Sequence, residues 1–116
     1  MKVLLLEDDV ALSDLLNEHL EDKGYEITLC TNGQEALEAL IDKKFDIALL
    51  DINTPVITGI EVLKRVRIEY KNNTPIIILT AYQDTKHLKE SFENGVDDYI
   101  KKPFDLEELD QRILKL

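Results

Sequence analysis

Short apolar runs alternate along this chain with stretches whose apolar residues recur at helical spacing, and that alternation leaves few folds open. Val3–Leu6, Glu26–Cys30, Ile47–Leu50 and Ile76–Leu79 read as strands, with a weaker one at Tyr99-Ile100. The helical stripes are Leu12, Leu15, Leu16 and Leu20, then Ala36, Leu37, Leu40 and Ile41, then Val62, Leu63 and Val66. A shorter, more polar helix covers roughly Thr85–Asn94, and Leu109, Ile113 and Leu116 mark the last one. Punctuation agrees with this reading. Gly24 and Gly95 are helix stops, Asn72-Asn73-Thr74-Pro75 is turn chemistry, and Thr31 and Gln34 have the spacing of a capping box. Asp105-Leu106-Glu107-Glu108 opens the last helix with an acidic first turn, favourable at the positive end of the helix dipole.

Strands that are apolar throughout must be covered on both faces, which is the condition of a parallel sheet between helix layers. The expected fold is therefore α/β, a flavodoxin-like doubly wound (βα)5 domain with parallel sheet order 2-1-3-4-5; right-handed crossovers exclude most alternatives. The 116 residues suffice for one domain with one core. In such sheets chemistry collects beyond the carboxyl ends of the strands. Strand one ends in Glu7-Asp8-Asp9, strand three in Asp51, strand four in Thr80, and strand five leads to Lys101-Lys102-Pro103. Strands one and three are neighbours in this order, so Glu7, Asp8 and Asp51 should converge.

Clustered carboxylates repel unless a cation neutralises them. An all-oxygen set suits a hard divalent ion, Mg2+ first, with Mn2+ as an alternative. A lysine and a threonine on the same rim could hold anionic oxygens. A carboxylate nucleophile, Mg2+, Lys and Thr are together what transfer of a phosphoryl group onto an aspartate requires. Each residue also has a plainer reading: Asp9 as a helix-dipole partner, strand-end Asp as a turn residue, strand-end Thr and Lys as solvated. Their coincidence at the correct strand ends favours the phosphoryl site. Net charge −10, from 14 basic and 24 acidic residues, disfavours nucleic-acid binding by this domain alone. Cys30 is the only cysteine and reads as a small core residue. No apolar run approaches the roughly 18–20 residues of a membrane span, and the N-terminal run lacks the features of a signal peptide, so a cytoplasmic protein is expected. His19 and His87 lack catalytic or metal-ligand spacing and read as surface polar residues, as do Glu107, Asp110 and Gln111.

At these residues the sequence resembles the receiver domain of bacterial two-component response regulators, over essentially its whole length. The matching motifs are Val3-Leu4-Leu5-Leu6-Glu7-Asp8-Asp9, Leu49-Leu50-Asp51-Ile52-Asn53-Thr54-Pro55 with Gly59, Ile77-Ile78-Leu79-Thr80-Ala81, and Gly95-Val96-Asp97-Asp98-Tyr99-Ile100-Lys101-Lys102-Pro103-Phe104. The resemblance implies that Asp51 is the phosphoacceptor for a sensor histidine kinase. It implies Mg2+ ligation by Glu7, through a water, by Asp8 and Asp51, and by the backbone carbonyl of Asn53. It implies phosphoryl binding by Thr80, Ala81 and Lys102, with Lys102 preceding a cis-proline at Pro103 and Lys101 solvated. It implies a switch in which Thr80 moves inward and Tyr99 follows. Tyr82 and Asn53 stand at positions that tune dephosphorylation in the family.

The closing motif is similar to the OmpR/PhoB type of transcription factor. That likeness implies a homodimer on phosphorylation through the helix-four, strand-five, helix-five face, with Leu88, Asp97, Asp98, Glu108 and Arg112 as its residues. Lys89 departs from this pattern, standing where an apolar residue is common. DNA would then be bound only by a C-terminal domain absent from this chain, residues 1–116 being the receiver. A stand-alone CheY-like signalling domain is the alternative. A haloacid-dehalogenase-type phosphatase would need a second Asp where Asn53 stands, and a flavin-binding module would find its phosphate repelled by Glu7-Asp8-Asp9. The expectation is a signalling domain rather than a turnover enzyme.

Overall fold

The alternation of apolar runs and helical stripes is realised as repeated strand–helix units. The computed structural model describes residues 1–81 and 84–116. Its elements are β1 (Lys2–Leu6), α1 (Val10–Asp22), β2 (Glu26–Cys30), α2 (Gly33–Asp42), β3 (Ile47–Asp51), α3 (Gly59–Ile68), β4 (Ile76–Ala81), α4 (Thr85–Glu93), β5 (Asp98–Lys102) and α5 (Leu106–Leu114). All strand pairs are parallel and the sheet order is β2-β1-β3-β4-β5, as the sequence predicts.

Successive side chains of a strand point to opposite faces, and here both faces are buried. Leu4, Leu6, Ala48, Leu50, Ile76 and Ile78 pack with the α2 and α3 stripes. Val3, Leu5, Ile47, Leu49, Ile77 and Leu79 pack with Leu16 and Leu20 of α1 and Leu109 and Ile113 of α5. Full burial of each such side chain is worth about 1.5–3 kcal/mol. The central strand β3 is buried along its whole length, whereas β2, on the edge, exposes Glu26 and Leu29. Cys30 is buried, and burial pushes its thiol up to about 11, which leaves it an inert core group.

Polar residues set the helix boundaries. Asp9, Thr58 and Asp105 accept hydrogen bonds from the backbone N–H groups of Leu12, Glu61 and Glu108 as N-caps of α1, α3 and α5. Gly24 and Gly95 follow α1 and α4 with φ of +87° and +84°, the left-handed turn that glycine adopts at low cost. Two expectations need correction. The capping box of α2 is one residue later than Thr31–Gln34: the Asn32 side chain accepts from Glu35 N at 2.9 Å, and Glu35 Oε1 reaches back to Thr31 N at 3.0 Å. Gly33 opens that helix because a Cβ there would lie 1.8 Å from the Ile57 carbonyl oxygen, so no other residue fits the close approach. Leu15, Ile41 and Leu116 fall outside the core (50%, 41% and 47% exposed), because the buried stripe is narrower than the apolar one in α1 and α2 and Leu116 lies beyond the end of α5.

Two leucines separate the packed positions from the merely apolar ones. Leu50→Ala should lower stability by about 2–5 kcal/mol, whereas Leu15→Ala should stay within about 0.5 kcal/mol of the parent. Urea unfolding of the two variants checks this, and similar losses would contradict the assignment of the core.

Candidate functional site

The register that buries the strands also aligns their polar ends. Leu6 of β1 pairs with Leu50 of β3, so the next residues, Glu7 and Asp51, come side by side at the carboxyl end of the sheet. Both are buried, Glu7 at 1% and Asp51 at 8% exposure, while Asp8 beside them is exposed. One carboxylate oxygen from each of Glu7, Asp8 and Asp51 can be chosen so that all lie within 4.8 Å of one another. Lys102, at the end of β5, reaches across them: its Nζ donates to Glu7 Oε1 at 2.7 Å and to Asp51 Oδ2 at 3.2 Å. Asp9 faces away as the cap of α1, though its backbone N–H donates to Glu7 Oε2 at 3.2 Å.

Burial, against which the Lys102 bond works, and the neighbouring Asp51 carboxylate raise the Glu7 carboxyl to about 7. Burial alone would lower the Lys102 ammonium, but Glu7 and Asp51 outweigh it and raise it. One ammonium thus holds carboxylates whose charge it does not fully offset. That excess of negative oxygen fits a hard divalent cation, and the donor set contains no sulfur or imidazole.

The loop after β3 is built around Asp51. Asn53 N donates to Asp51 Oδ1 at 3.2 Å. The chain returns through Gly59, whose N–H bonds Ile52 O and where a Cβ would meet the Asp51 carbonyl oxygen at 1.9 Å. Between them Thr54 Oγ1 donates to Ile57 O at 2.9 Å. Ile57 N donates to Pro55 O at 2.9 Å around Val56, a β-branched residue at φ +70° whose side chain is 78% exposed. Gly33 N also bonds Pro55 O, tying the loop to the start of α2.

Thr80 is buried at the end of β4, its hydroxyl making a long 3.4 Å contact to the Ala81 carbonyl. Ala81 is exposed beside it, and the Lys102–Pro103 peptide is cis. Tyr99 lies lower, opposite Ile78 of β4, half-buried, with its ring edge-on to Phe92 at 5.6 Å and beneath the Arg112 guanidinium at 5.9 Å. The sequence-selected charges of this face are engaged within the chain. Arg112 bonds Asp98 at 2.9 Å and approaches Glu108 at 3.8 Å. Asp97 accepts from Ile76 N at 2.8 Å and Arg67 Nη2 at 3.1 Å. Leu88 is half-buried, and Phe92, which sequence reading passed over, is 51% exposed on α4.

Tyr82 lies outside the described residues. Three surface assignments need correction. His19 Nε2 lies 2.8 Å and 3.0 Å from the two carboxylate oxygens of Asp110, which Lys23 also approaches at 3.3 Å, so neither His19 nor Asp110 is simply solvated. Their separation of 91 residues hid the pair. His87 Nδ1 lies 2.7 Å from Asp84 Oδ2. Asp84 is the N-cap of α4, and its spacing three residues before His87 was a legible signal that went unread.

The response regulator receiver domain model matches residues 3–114. The chain is 46% identical over 112 residues to the transcriptional regulatory protein CrdR of Helicobacter pylori, covering 97% of this chain and 53% of that protein. It spans about half the length of the curated relatives it matches. Among solved structures, the receiver domain of the Francisella response regulator 1452 superposes with a TM-score of 0.90 at 34% identity, covering 98% and 93% of the two chains. The response regulator TrrA of Thermotoga maritima, in complex with Mg2+–BeF, superposes at 0.86 with 35% identity, covering 98% and 96%. No described helix is long and apolar enough to cross a membrane.

The raised Glu7 carboxyl has a sign that can be measured. Its folded value of about 7 exceeds the ordinary 4.5, so the folded state retains a proton that the unfolded chain releases. This contribution to stability is present at low pH and lost as pH rises from about 4.5 to about 7. Without divalent ions, Glu7→Gln should therefore gain stability relative to the parent between pH 5 and pH 8, by on the order of 1–3 kcal/mol. Parallel urea-midpoint profiles for the two proteins would contradict the buried, under-neutralised carboxylate.

Proposed function

The chain belongs to the response regulator receiver domain family of two-component systems, and on that premise we propose that Asp51 accepts a phosphoryl group from the phosphohistidine of a sensor kinase. The observation that carries this reading is Lys102 Nζ held between Glu7 and Asp51 at 2.7 Å and 3.2 Å, beside a third carboxylate, Asp8. A site with several carboxylates and one ammonium is short of positive charge, and a phosphoryl acceptor needs charge compensation above all.

An Asp51 carboxylate oxygen attacks phosphorus. The O–P bond forms as the P–N bond to histidine breaks, and the bonding pair leaves with the imidazole, which takes up a proton. Glu7, through a water, Asp8, Asp51 and the backbone carbonyl of Asn53 would hold a divalent ion, Mg2+ foremost, which supplies charge neutralisation for the phosphoryl oxygens and the carboxylates together. Lys102 exchanges its bonds to Glu7 and Asp51 for one to a phosphoryl oxygen. The Thr80 hydroxyl leaves its long contact with Ala81 O and donates to another, with Ala81 beside it. Tyr99, which now packs against Phe92 and Arg112, then follows Thr80 inward. The group stays on Asp51 as a signal, so the domain is not a turnover enzyme.

The relatives' names support a regulator of transcription; on this reading it acts in the cytoplasm and DNA is bound by a part beyond this receiver unit. The face of α4, β5 and α5 would form the homodimer on phosphorylation. Asp98, Glu108 and Arg112 would exchange the pairs seen within the chain for pairs across the interface, with Leu88 and Asp97 at its border.

Incubation with acetyl phosphate and Mg2+ should add one phosphoryl group to the intact mass of the parent protein and none to Asp51→Ala. Lys102→Ala should slow the modification by about 10-fold or more. Equal modification of Asp51→Ala would sink the assignment. Size-exclusion chromatography with beryllofluoride should show a shift toward dimer in the parent that Arg112→Ala weakens.

A further inference from the structure

We propose that Gly33, at the head of α2, is a positioning residue for the cation site: it clamps the apex of the loop that carries Asp51 and the Asn53 carbonyl. This rests on the reading of Glu7, Asp8, Asp51 and that carbonyl as the holders of a divalent ion. The loop makes most of its turn in the open, with Asn53, Pro55, Val56 and Thr58 exposed. Its apex nevertheless has a backbone that β-branched residues avoid. Val56 sits at φ +70°, closed by the bond from Ile57 N to Pro55 O at 2.9 Å, and its 78% exposed side chain gains little from packing. Such a residue persists only where its surroundings over-determine it.

The determining contacts come from α2. On one side of Val56, Gly33 N donates to Pro55 O at 3.2 Å. On the other, Gly33 approaches Ile57 so closely that a Cβ would stand 1.8 Å from the Ile57 carbonyl oxygen and 2.9 Å from its Cβ. The buried Thr54 holds the same carbonyl from within the loop, its Oγ1 donating at 2.9 Å. Asn53, directly before Thr54, has its backbone N–H on Asp51 Oδ1 at 3.2 Å. A displacement at the apex therefore has a short path to the acceptor carboxylate and to the Asn53 carbonyl. The two sides of the clamp differ in firmness. Ala36, Leu37 and Leu40 fix α2 in the core, and reciprocal bonds of Asn32 and Glu35 close its first turn. The loop has the half-buried Ile57 as its packed side chain at the apex. A methyl group at position 33 displaces the loop rather than the helix. Mg2+ tolerates such a shift poorly, because it demands near-octahedral oxygens at about 2.0–2.1 Å.

The test is a Mg2+ titration of the whole chain, followed by the backbone amide NMR signals of Asp8, Asp51 and Asn53. Gly33→Ala should raise the Mg2+ dissociation constant by about 10-fold or more. Val56→Gly keeps the clamp, and glycine takes the positive φ without strain, so its affinity should stay within about 2-fold of the parent. In the double variant the loop yields at position 56 instead of at Asp51, and the affinity should return to within about 3-fold of the parent. Leu20→Ala, in the opposite core layer, measures stability loss alone: it should lower the urea midpoint and keep the parent's Mg2+ affinity. Parent-like Mg2+ binding by Gly33→Ala would overturn the proposal. So would a double variant as weak as Gly33→Ala, or an equal affinity loss in Leu20→Ala. Asn32→Ala loosens the same clamp without adding an atom and should weaken Mg2+ binding in the same direction. Should Gly33→Ala fail to fold, parent-like affinity in Asn32→Ala overturns the proposal in its place. If the parent's own signals do not respond to Mg2+, the reading of the cation site fails instead, which is a distinguishable result.

Discussion

The site depends on the contact of one ammonium with two buried carboxylates. Glu7 and Asp51 are brought side by side by strand pairing, and at that depth two negative charges repel strongly unless something positive lies between them. Lys102 provides it from the far side of the sheet, at 2.7 Å and 3.2 Å. The contact crosses β4 and links residues 95 and 51 positions apart in sequence. It is incomplete by construction. Asp8 adds a third carboxylate nearby, and the Glu7 carboxyl stays raised to about 7 in spite of the lysine. A site left short of positive charge favours cations and suits Asp51 to a transfer in which charge must be balanced from outside.

The frame that supports this contact is rigid where rigidity matters. β3 alone among the described strands is buried at every residue, and Asp51 stands at its end. The loop that follows is held by Gly59, by Gly33 on α2 and by the tight turn at Val56. A left-handed β-branched residue costs on the order of 1–3 kcal/mol, and its exposed side chain gains little from packing. The opposite end of the site is connected through fewer and longer bonds: the Thr80 hydroxyl contact is 3.4 Å, and Tyr99 is wedged between an exposed Phe92 and the edge of Arg112. Firm positioning at Asp51 and looser packing at Thr80 and Tyr99 are what the proposed reading calls for, in which a charge gained at Asp51 is passed to a surface.

Much of this was legible beforehand, for identifiable reasons. Ile76–Leu79 could hardly be anything but a buried strand, and the acidic residues after β1 mark where that strand ends. Asp9 at the head of a helix, Gly24 and Gly95 as stops, and the neighbourhood of Glu7 and Asp51 all follow from local pattern plus a sheet order with few alternatives. Asp84 at the start of α4 was legible in principle, since capping residues act within a single turn. Less legible were the partners of surface charges. Asp97 bound to Arg67, Asp110 clasped by His19 and Lys23, and Arg112 folded onto Asp98 and Tyr99 are pairs whose members come from different elements. Nothing in their local sequence distinguishes them from solvated residues.

By itself the sequence determined the element order, the double-sided burial of the strands and the identity of the residues that end them, because apolar periodicity and turn chemistry act over a few neighbouring positions. Only the tertiary structure decided how deeply those strand ends are buried, that Lys102 bridges Glu7 as well as Asp51, and which charges on the α4–β5–α5 face are already paired. Those outcomes depend on distances of a few ångströms between residues tens of positions apart, and hydrogen bonds and ion pairs discriminate at that scale while hydrophobic patterning does not.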